Sequence, residues 1–363
     1  MSFRLSKLKT INFRNLSSDI IHFSPHINCI TGDNGHGKTN ILEAVYLLAN
    51  RKSFRKNAGF PQYVGLDSEK MEIEISSVLS DGAREFSYSG RILPHEVGWW
   101  MDSRKIYREY PLKVILINPF DSNSFHTQKG FRRDWFDHHI GLIDPEYKKV
   151  LSRYNKALKF KNSLLFTSPP HIEPQLSIID RELSSSMEQI ADARSRFITQ
   201  INGCFENIFH QIFSREHRLE IILNSPFYGK NKEEITEILL KNRQKDKIKG
   251  ISTCGVHRDD YLLFFDGFNS FEYCSLGQQK TAFLGLLFAY VQLFRYTYST
   301  FPIVLIDDIS GELDVMRWKR LVQFLKNGSF QVLITTANEN FKEELKVIDN
   351  VAQINVKRGM IIQ

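Results

Sequence analysis

The chain has 363 residues, 42% of them hydrophobic and 25% charged, which suffices for a sizeable core and about two to three domains and leaves no long segment of disordered composition. Lysine and arginine number 48 against 41 aspartates and glutamates, a net charge of +7 that suits a polyanionic partner but suits an inert basic surface as well. Cys29, Cys204, Cys254 and Cys274 form no CxxC pair and read as reduced thiols of a cytoplasmic protein, not as a zinc framework. No apolar signal-peptide core opens the sequence, and the longest apolar run, 282–291, is far short of the about 20 residues a bilayer span needs, so no membrane association is expected.

Phe3, Leu5, Ile11 and Phe13 are spaced for a half-buried strand, and 19–23 and 27–31 read as two more. A glycine-rich turn follows, then a helix over 38–50, with Ile41, Ala44, Val45 and Leu48 at helical spacing. Residues 71–117 read as short strands, with turns at Asp81-Gly82 and Ser89-Gly90. From about Gly130 to Arg215 helices dominate. Leu176, Ile179, Leu183, Met187, Ile190, Phe197, Ile201, Ile208 and Ile212 predict one helix over 177–213, about 37 residues and roughly 55 Å long. It is either a buried bundle helix or an arm projecting from a globular head. The lysine-rich stretch 230–250 reads as a helix with a mobile connection.

Strand patterning returns at 261–265, followed by an Asp-Gly turn at 266–267. A helix over 276–295 is apolar on nearly every side and is expected to be buried. Residues 303–306 and 332–335 are continuous apolar strands, and 351–356 with 360–362 read as a closing hairpin. Strand-rich ends thus flank a helical middle. The expected fold is α/β: a head with a mixed sheet and an antiparallel β lobe, built from 1–129 and 250–363, with a helical arm inserted over 130–249.

Gly32-Asp33-Asn34-Gly35-His36-Gly37-Lys38-Thr39 fits the P-loop pattern GxxxxGK[ST], with the required strand before it and helix after it. Its backbone N–H groups and the helix N-terminus would wrap the phosphates of ATP, with Asn40 next in line. Lys38 would neutralise the β and γ phosphates, and the Thr39 hydroxyl would hold Mg²⁺. Ile303-Val-Leu-Ile-Asp307-Asp308 has the form of a Walker B strand. Asp307 would bind Mg²⁺ through water, and Asp308 would orient or activate the attacking water. Alone, such a pair is more often a cap or turn; beside a P-loop the functional reading prevails.

Ser275-Leu-Gly277-Gln278-Gln-Lys, at the start of the apolar helix, resembles the signature motif of ABC-type ATPases, and Gly311-Glu-Leu-Asp314 resembles their D-loop. In that superfamily the serine is offered to the nucleotide of the opposite subunit. The stretch from Lys38 to Ser275 is longer than the insertion in transporter ATPases and far shorter than the coiled coils of chromosome-structuring relatives, which leaves room for a short arm only.

Further segments resemble the RecF family of bacterial recombination mediators, and do so over the whole chain. They are Phe13-Arg14-Asn15; Arg51-Lys-Ser-Phe-Arg55; Asn118-Pro119, with Phe120 where the family has an acid; Arg132-Arg133-Asp-Trp-Phe-Asp137; Leu158-Lys-Phe-Lys161-Asn162-Ser-Leu-Leu165; and Gly255-Val-His-Arg-Asp-Asp260. The resemblance implies an ABC-type ATPase head related to SMC proteins, an inserted helical arm (lobe II) and an ATP-dependent homodimer. It also implies binding to single-strand/double-strand junctions and gapped duplex, and work with RecR and RecO to place RecA on DNA in gap repair, replication restart and SOS induction. A weak DNA-stimulated ATPase is expected, because Asp308 is shorter than the superfamily's usual Glu and the switch histidine is replaced by threonine, at Thr335 or Thr336.

Basic residues cluster at Arg51, Lys52, Arg55 and Lys56, along Lys148, Lys149, Arg153, Lys156, Lys159 and Lys161, and along Lys241, Arg243, Lys245, Lys247 and Lys249. Lys149, Arg153 and Lys156 share one helical face and could follow phosphates without reading bases; Arg51, Lys52 and Arg55 are the other DNA candidates. Each cluster alone is as readily a solvated face. Asp137-His138-His139 has no metal-ligand spacing, and of Trp99-Trp100 one should pack inward. A transport ATPase should show LSGGQ, a switch histidine and a short insertion, all missing here. A nucleotide-gated protein scaffold remains the other alternative.

Overall fold

A bulge between Leu5 and Lys7 resets the alternation of the first strand, so that both Leu5 and Leu8 face inward. The computed structural model describes residues 3–55, 58–65, 71–107, 111–298, 302–311, 313–328, 330–338, 341, 343 and 351–363. In chain order the elements begin with β1 (Arg4–Ile11), β2 (Ile20–His22), β3 (Ile27–Thr31), α1 (Lys38–Asn50), α2 (Phe60–Tyr63), β4 (Ile73–Ser80), β5 (Glu85–Ile92), β6 (Val97–Met101), β7 (Arg104–Lys105) and β8 (Val114–Ile117). Then come α3 (Asp121–Thr127), α4 (Lys129–Ile143), α5 (Pro145–Thr167), α6 (Ile172–Ile212), β9 (Leu219–Asn224), α7 (Lys232–Lys249), β10 (Asp260–Phe265), β11 (Phe268–Asn269) and α8 (Ser270–Tyr273). Last are α9 (Leu276–Tyr298), β12 (Ile303–Ile306), α10 (Val315–Asn327), β13 (Val332–Thr336), β14 (Val351–Lys357) and β15 (Met360–Ile362).

The chain forms two units. The first comprises Met1–Phe120, His210–Arg215 and Leu287–Gln363. It holds an antiparallel sheet in the order β2-β1-β4-β5-β6-β7 and a second sheet in the order β15-β14-β3-β13-β12-β8. In the second, all neighbours run parallel except the β14–β15 edge hairpin. β3, β12 and β13 are buried along their whole length, as strands covered on both faces must be. Leu5, Leu8, Ile75 and Tyr88 of the antiparallel sheet and Ile30, Leu305, Leu333 and Ile354 of the parallel one share a core with α1. Residues Ile41 to Ala49 of that helix are all buried, and Tyr88 donates its hydroxyl to the Leu48 carbonyl at 2.7 Å.

Gly90 forms no turn. It lies inside β5, opposite Trp99, because a Cβ there would stand 2.4 Å from the indole ring that crosses it. Trp99 is buried and stacks on Tyr88.

The second unit comprises Asp121–Phe209 and Glu216–Leu286. It joins α3 to α7 with a three-stranded antiparallel sheet, β11-β10-β9, whose first strand in sequence, β9, the hydropathy pattern did not disclose. Most of the arm residues expected over 130–249 fall here, and so do 250–286. The long helix α6 runs from Ile172, five residues earlier than its pattern suggested, and buries Leu176, Leu183, Met187, Ile190, Ile201 and Ile208 along one stripe.

Inside this unit the segments that resemble the RecF family pair with one another. Arg132 grips Asp260 with two bonds of 2.7 and 2.9 Å. Arg194, 1% exposed, reaches Asp137 at 2.8 Å and Asp259 at 2.7 Å. Lys161 is no part of a basic surface: it is wholly buried between Asp180 and Asp246, each at 3.0 Å. Arg243 and Lys247 are likewise engaged, with Glu173 and, for Arg243, Asp180. His139 is buried against Trp135, and no cluster of His, Cys, Asp and Glu able to hold a metal occurs among the described residues. No helix among them is long and apolar enough to cross a membrane.

Candidate nucleotide-binding site

The parallel register brings the C-terminal ends of β3, β13 and β12 to one edge of the sheet, where open α/β sheets place their ligands. β3 delivers loop 32–37 into the N-terminus of α1. β12 delivers Asp307 and Asp308, and β13 ends at Thr335 and Thr336. The Thr39 hydroxyl donates to Asp307 Oδ1 at 2.9 Å, and the Thr335 hydroxyl donates to the same oxygen at 2.8 Å. Thr335 Oγ1 also accepts the Asp308 amide at 3.0 Å, while Asp308 itself sits in the left-handed region at φ 43. Burial pushes the Asp307 carboxyl above its ordinary pKa, against the lowering effect of its two threonine donors.

Lys38 lies inside its own loop. Its Nζ donates to the Gly32 and Asp33 carbonyls at 2.7 and 3.0 Å. Burial draws its pKa down, and Asp308, Asp307 and Asp33 oppose that shift. A Cβ on Gly35, which stands at φ 79, would meet nothing within 4 Å, so the loop presents open space there. A cleft of about 260 Å³ adjoins the loop, lined among others by Asp33, His36, Thr336, Asn338 and Lys357. Carbonyl-cradled amine, glycine-rich backbone and paired hydroxyl and carboxylate oxygens are a donor set suited to a polyphosphate and a hard divalent cation.

Around α1 runs a polar network that sequence reasoning missed. Glu43 is fully buried and accepts two bonds from Arg14, at 3.0 and 2.7 Å, and one from Ser53 at 2.6 Å. Arg55 lies 3.5 Å from Glu43 and donates to Asn40 Oδ1 at 2.6 Å. Asn40 in turn donates to Asn15 at 2.7 Å. A lone glutamate inside the apolar run of 41–49 was the available signal. Arg55, expected on DNA, is thus lodged beside the P-loop helix.

Arg51 caps α1 and lies over the Trp99 ring at 5.4 Å, and Lys52 is exposed; Lys56 lies outside the described residues. Lys149, Arg153 and Lys156 occupy the exposed face of α5 in the second unit, with Lys149 paired to Glu146 at 2.6 Å.

The signature segment lies in the second unit, at the N-terminus of α9. Ser275 and Gln278 form a reciprocal cap: the Ser275 amide donates to Gln278 Oε1 at 2.9 Å, and the Gln278 amide donates to Ser275 Oγ at 3.3 Å. Ser275 and Gly277 are exposed. Gln279, not anticipated, donates to the Ser270 and Cys274 carbonyls at 3.1 Å each and fixes the turn that presents Ser275. Of the D-loop resemblance, Glu312 lies outside the described residues, and Asp314 caps α10 through the Arg317 amide.

The family pattern of the RecF/RecN/SMC N terminal domain matches residues 4–361. The DNA replication and repair protein RecF of Alkaliphilus oremlandii is 30% identical over 375 aligned positions, covering 98% of this chain and 99% of that protein. RecF of Bacteroides fragilis is also 30% identical, covering 98% and 97%. A solved RecF-ATP structure of the recombination mediator in the RecFOR pathway superposes with a TM-score of 0.85 at 24% identity, covering 99% of each chain. A Pyrococcus yayanosii Smc head with coiled coil and joint gives a TM-score of 0.61 at 13% identity, over 99% of this chain and 96% of that one. The mixed α/β architecture is the one these ATPase heads share.

Proposed function

This chain belongs to the RecF/RecN/SMC N terminal domain family, and from that premise we propose that it is an ATP-dependent, DNA-binding recombination mediator acting in the cytoplasm. The observation that carries the reading is the 2.9 Å bond between Thr39 and Asp307, which joins the P-loop to the Walker B strand as one site. ATP with Mg²⁺ would supply the binding energy and the phosphoryl chemistry. Residues 32–40 would hold the phosphates, with Lys38 moving from its carbonyl partners to them. Thr39 and Asp307 would carry Mg²⁺, and Asp308 would take a proton from water at its carboxylate.

Ser275, Gly277 and Gln278 would complete the site of a second copy, so that ATP makes a homodimer. Ser275 and Gly277 stand exposed at the N-terminus of α9, where a phosphate is well received, and this supports the reading. The dimer would bind gapped duplex through backbone contacts from Arg51, Lys52, Lys149, Arg153 and Lys156, and RecO and RecR would share in passing that DNA to RecA. Slow hydrolysis would then set release.

A gel-shift titration with gapped duplex, with and without ATP, tests the reading. Binding should require ATP, and its log affinity should fall linearly with log salt concentration. ATP-driven dimers without DNA affinity would instead leave a nucleotide-gated protein scaffold.

A further inference from the structure

The outer side of the phosphate loop is held by two residues from opposite ends of the chain. Asn15 Nδ2 donates to the Gly35 carbonyl at 3.1 Å. The Gly359 amide donates to the His36 carbonyl at 2.9 Å. Arg358 and Gly359, at φ 49 and 82, form the two-residue turn between Lys357 and Met360 that joins β14 to β15. A Cβ on Gly359 would stand 1.7 Å from the Asn15 carbonyl oxygen, so the turn and Asn15 are in direct backbone contact. The turn is anchored in its own right, since the Ser17 amide donates to the Gly359 carbonyl at 2.9 Å. Asn15 is steadied by its bond from Asn40, which Arg55 supports in turn.

A peptide unit is planar, and its C=O and N–H point in opposite directions. Fixing the Gly35 and His36 carbonyls outward therefore turns the next two N–H groups, those of His36 and Gly37, toward the inside of the loop. There the His36 amide makes only a long bond, 3.3 Å, to the Asp33 carbonyl. We propose that Asn15 and Gly359 are positioning residues of the phosphate loop, holding two successive peptide planes so that their N–H groups face the polyphosphate before it arrives. The inference rests on the nucleotide reading above and deepens it. The loop is preorganised by the C-terminal hairpin from one side and by the segment after β1 from the other, and binding need not order it.

Calorimetric binding of ADP and of inorganic tripolyphosphate to the full chain tests this, in the parent and in Asn15→Ala, Gly359→Ala and Gly82→Ala. Gly82 is a control: it too has a left-handed φ, 94, but a Cβ there meets nothing within 4 Å and it lies in the β4–β5 turn. Each of the first two variants should bind both ligands roughly tenfold more weakly, the scale of one lost hydrogen bond. Gly82→Ala should bind them as the parent does. The double variant should lose less than the product of the two effects, because both residues hold one loop. Asn15 is exposed, so its alanine variant should keep the ligand-free melting midpoint of the parent, and it decides the matter should Gly359→Ala fail to fold. Unchanged affinities in Asn15→Ala overturn the inference, and so does a loss for ADP without one for tripolyphosphate. A parent that binds neither ligand overturns the nucleotide reading, and this inference with it.

Discussion

Thr39 and Asp307 meet hydroxyl to carboxylate at 2.9 Å, although most of the chain separates them in sequence. The same carboxylate oxygen takes the Thr335 hydroxyl at 2.8 Å, so two distant segments converge on Asp307. Its carboxyl is buried and its pKa is raised. The fold therefore holds that proton more tightly than the unfolded chain does. The contribution to stability is full below the unfolded value near 3.8 and is lost as pH rises through the folded one. At neutral pH the ionised Asp307 is a cost carried for the cation.

Asp307→Asn should accordingly raise the melting midpoint of the ligand-free chain at pH 7 while removing the Mg²⁺ dependence of ATP binding. Thermal unfolding and nucleotide titrations with and without Mg²⁺ check both halves. In the parent, Mg²⁺-dependent binding should weaken with acidification at a higher pH than an unperturbed aspartate would give.

A second pH effect belongs to the other unit. His257 is pulled down to about 4 by burial and by the Arg258 charge, and its Nδ1 lies 2.6 Å from the Tyr154 hydroxyl. The unfolded chain protonates this histidine near 6.5 while the fold resists, so stability should fall as pH drops from 6.5 toward 4. The loss should approach about 3 kcal/mol at most, at 1.36 kcal/mol per unit. Denaturant titrations across this range, on the parent and on His257→Gln, should show a shallower dependence in the variant.

Removing Arg194 should be severe. Arg194→Met would leave Asp137 and Asp259 near each other without their cation, at a cost of about 3–5 kcal/mol. Arg194→Lys should restore only part of that, since one ammonium cannot reach the Val256 carbonyl, Asp137 and Asp259 as the guanidinium fork does. Urea unfolding of the two variants gives the comparison.

These residues also mark what the sequence could tell. The P-loop, its flanking strand and helix, and the strand at 303–306 were readable because their signals are local: a continuous apolar run, a glycine-rich turn, a periodic helix. The closing hairpin of β14 and β15 was readable for the same reason. Lys161 was not, because its partners Asp180 and Asp246 lie on other helices and LKFKN looks the same on a solvated face. Gly90 read as a turn because only the cross-strand indole of Trp99 reveals why a side chain is absent. β9 is short and gains its place by pairing with β10, across an intervening helix. Asn15 and Gly359 beside the P-loop, and Gln279 at the start of α9 in the other unit, each donate to backbone carbonyls, and no residue-type pattern encodes that.

The account turns on ATP joining two copies of this chain. Sedimentation velocity with Mg²⁺ and saturating ATP, on the parent, Lys38→Met and Ser275→Arg, tests that most directly. The parent should shift to a dimer; Lys38→Met should stay monomeric and bind no nucleotide; Ser275→Arg should bind nucleotide and still stay monomeric. A dimer that persists in Ser275→Arg, or a parent that stays monomeric at every concentration, would contradict the account.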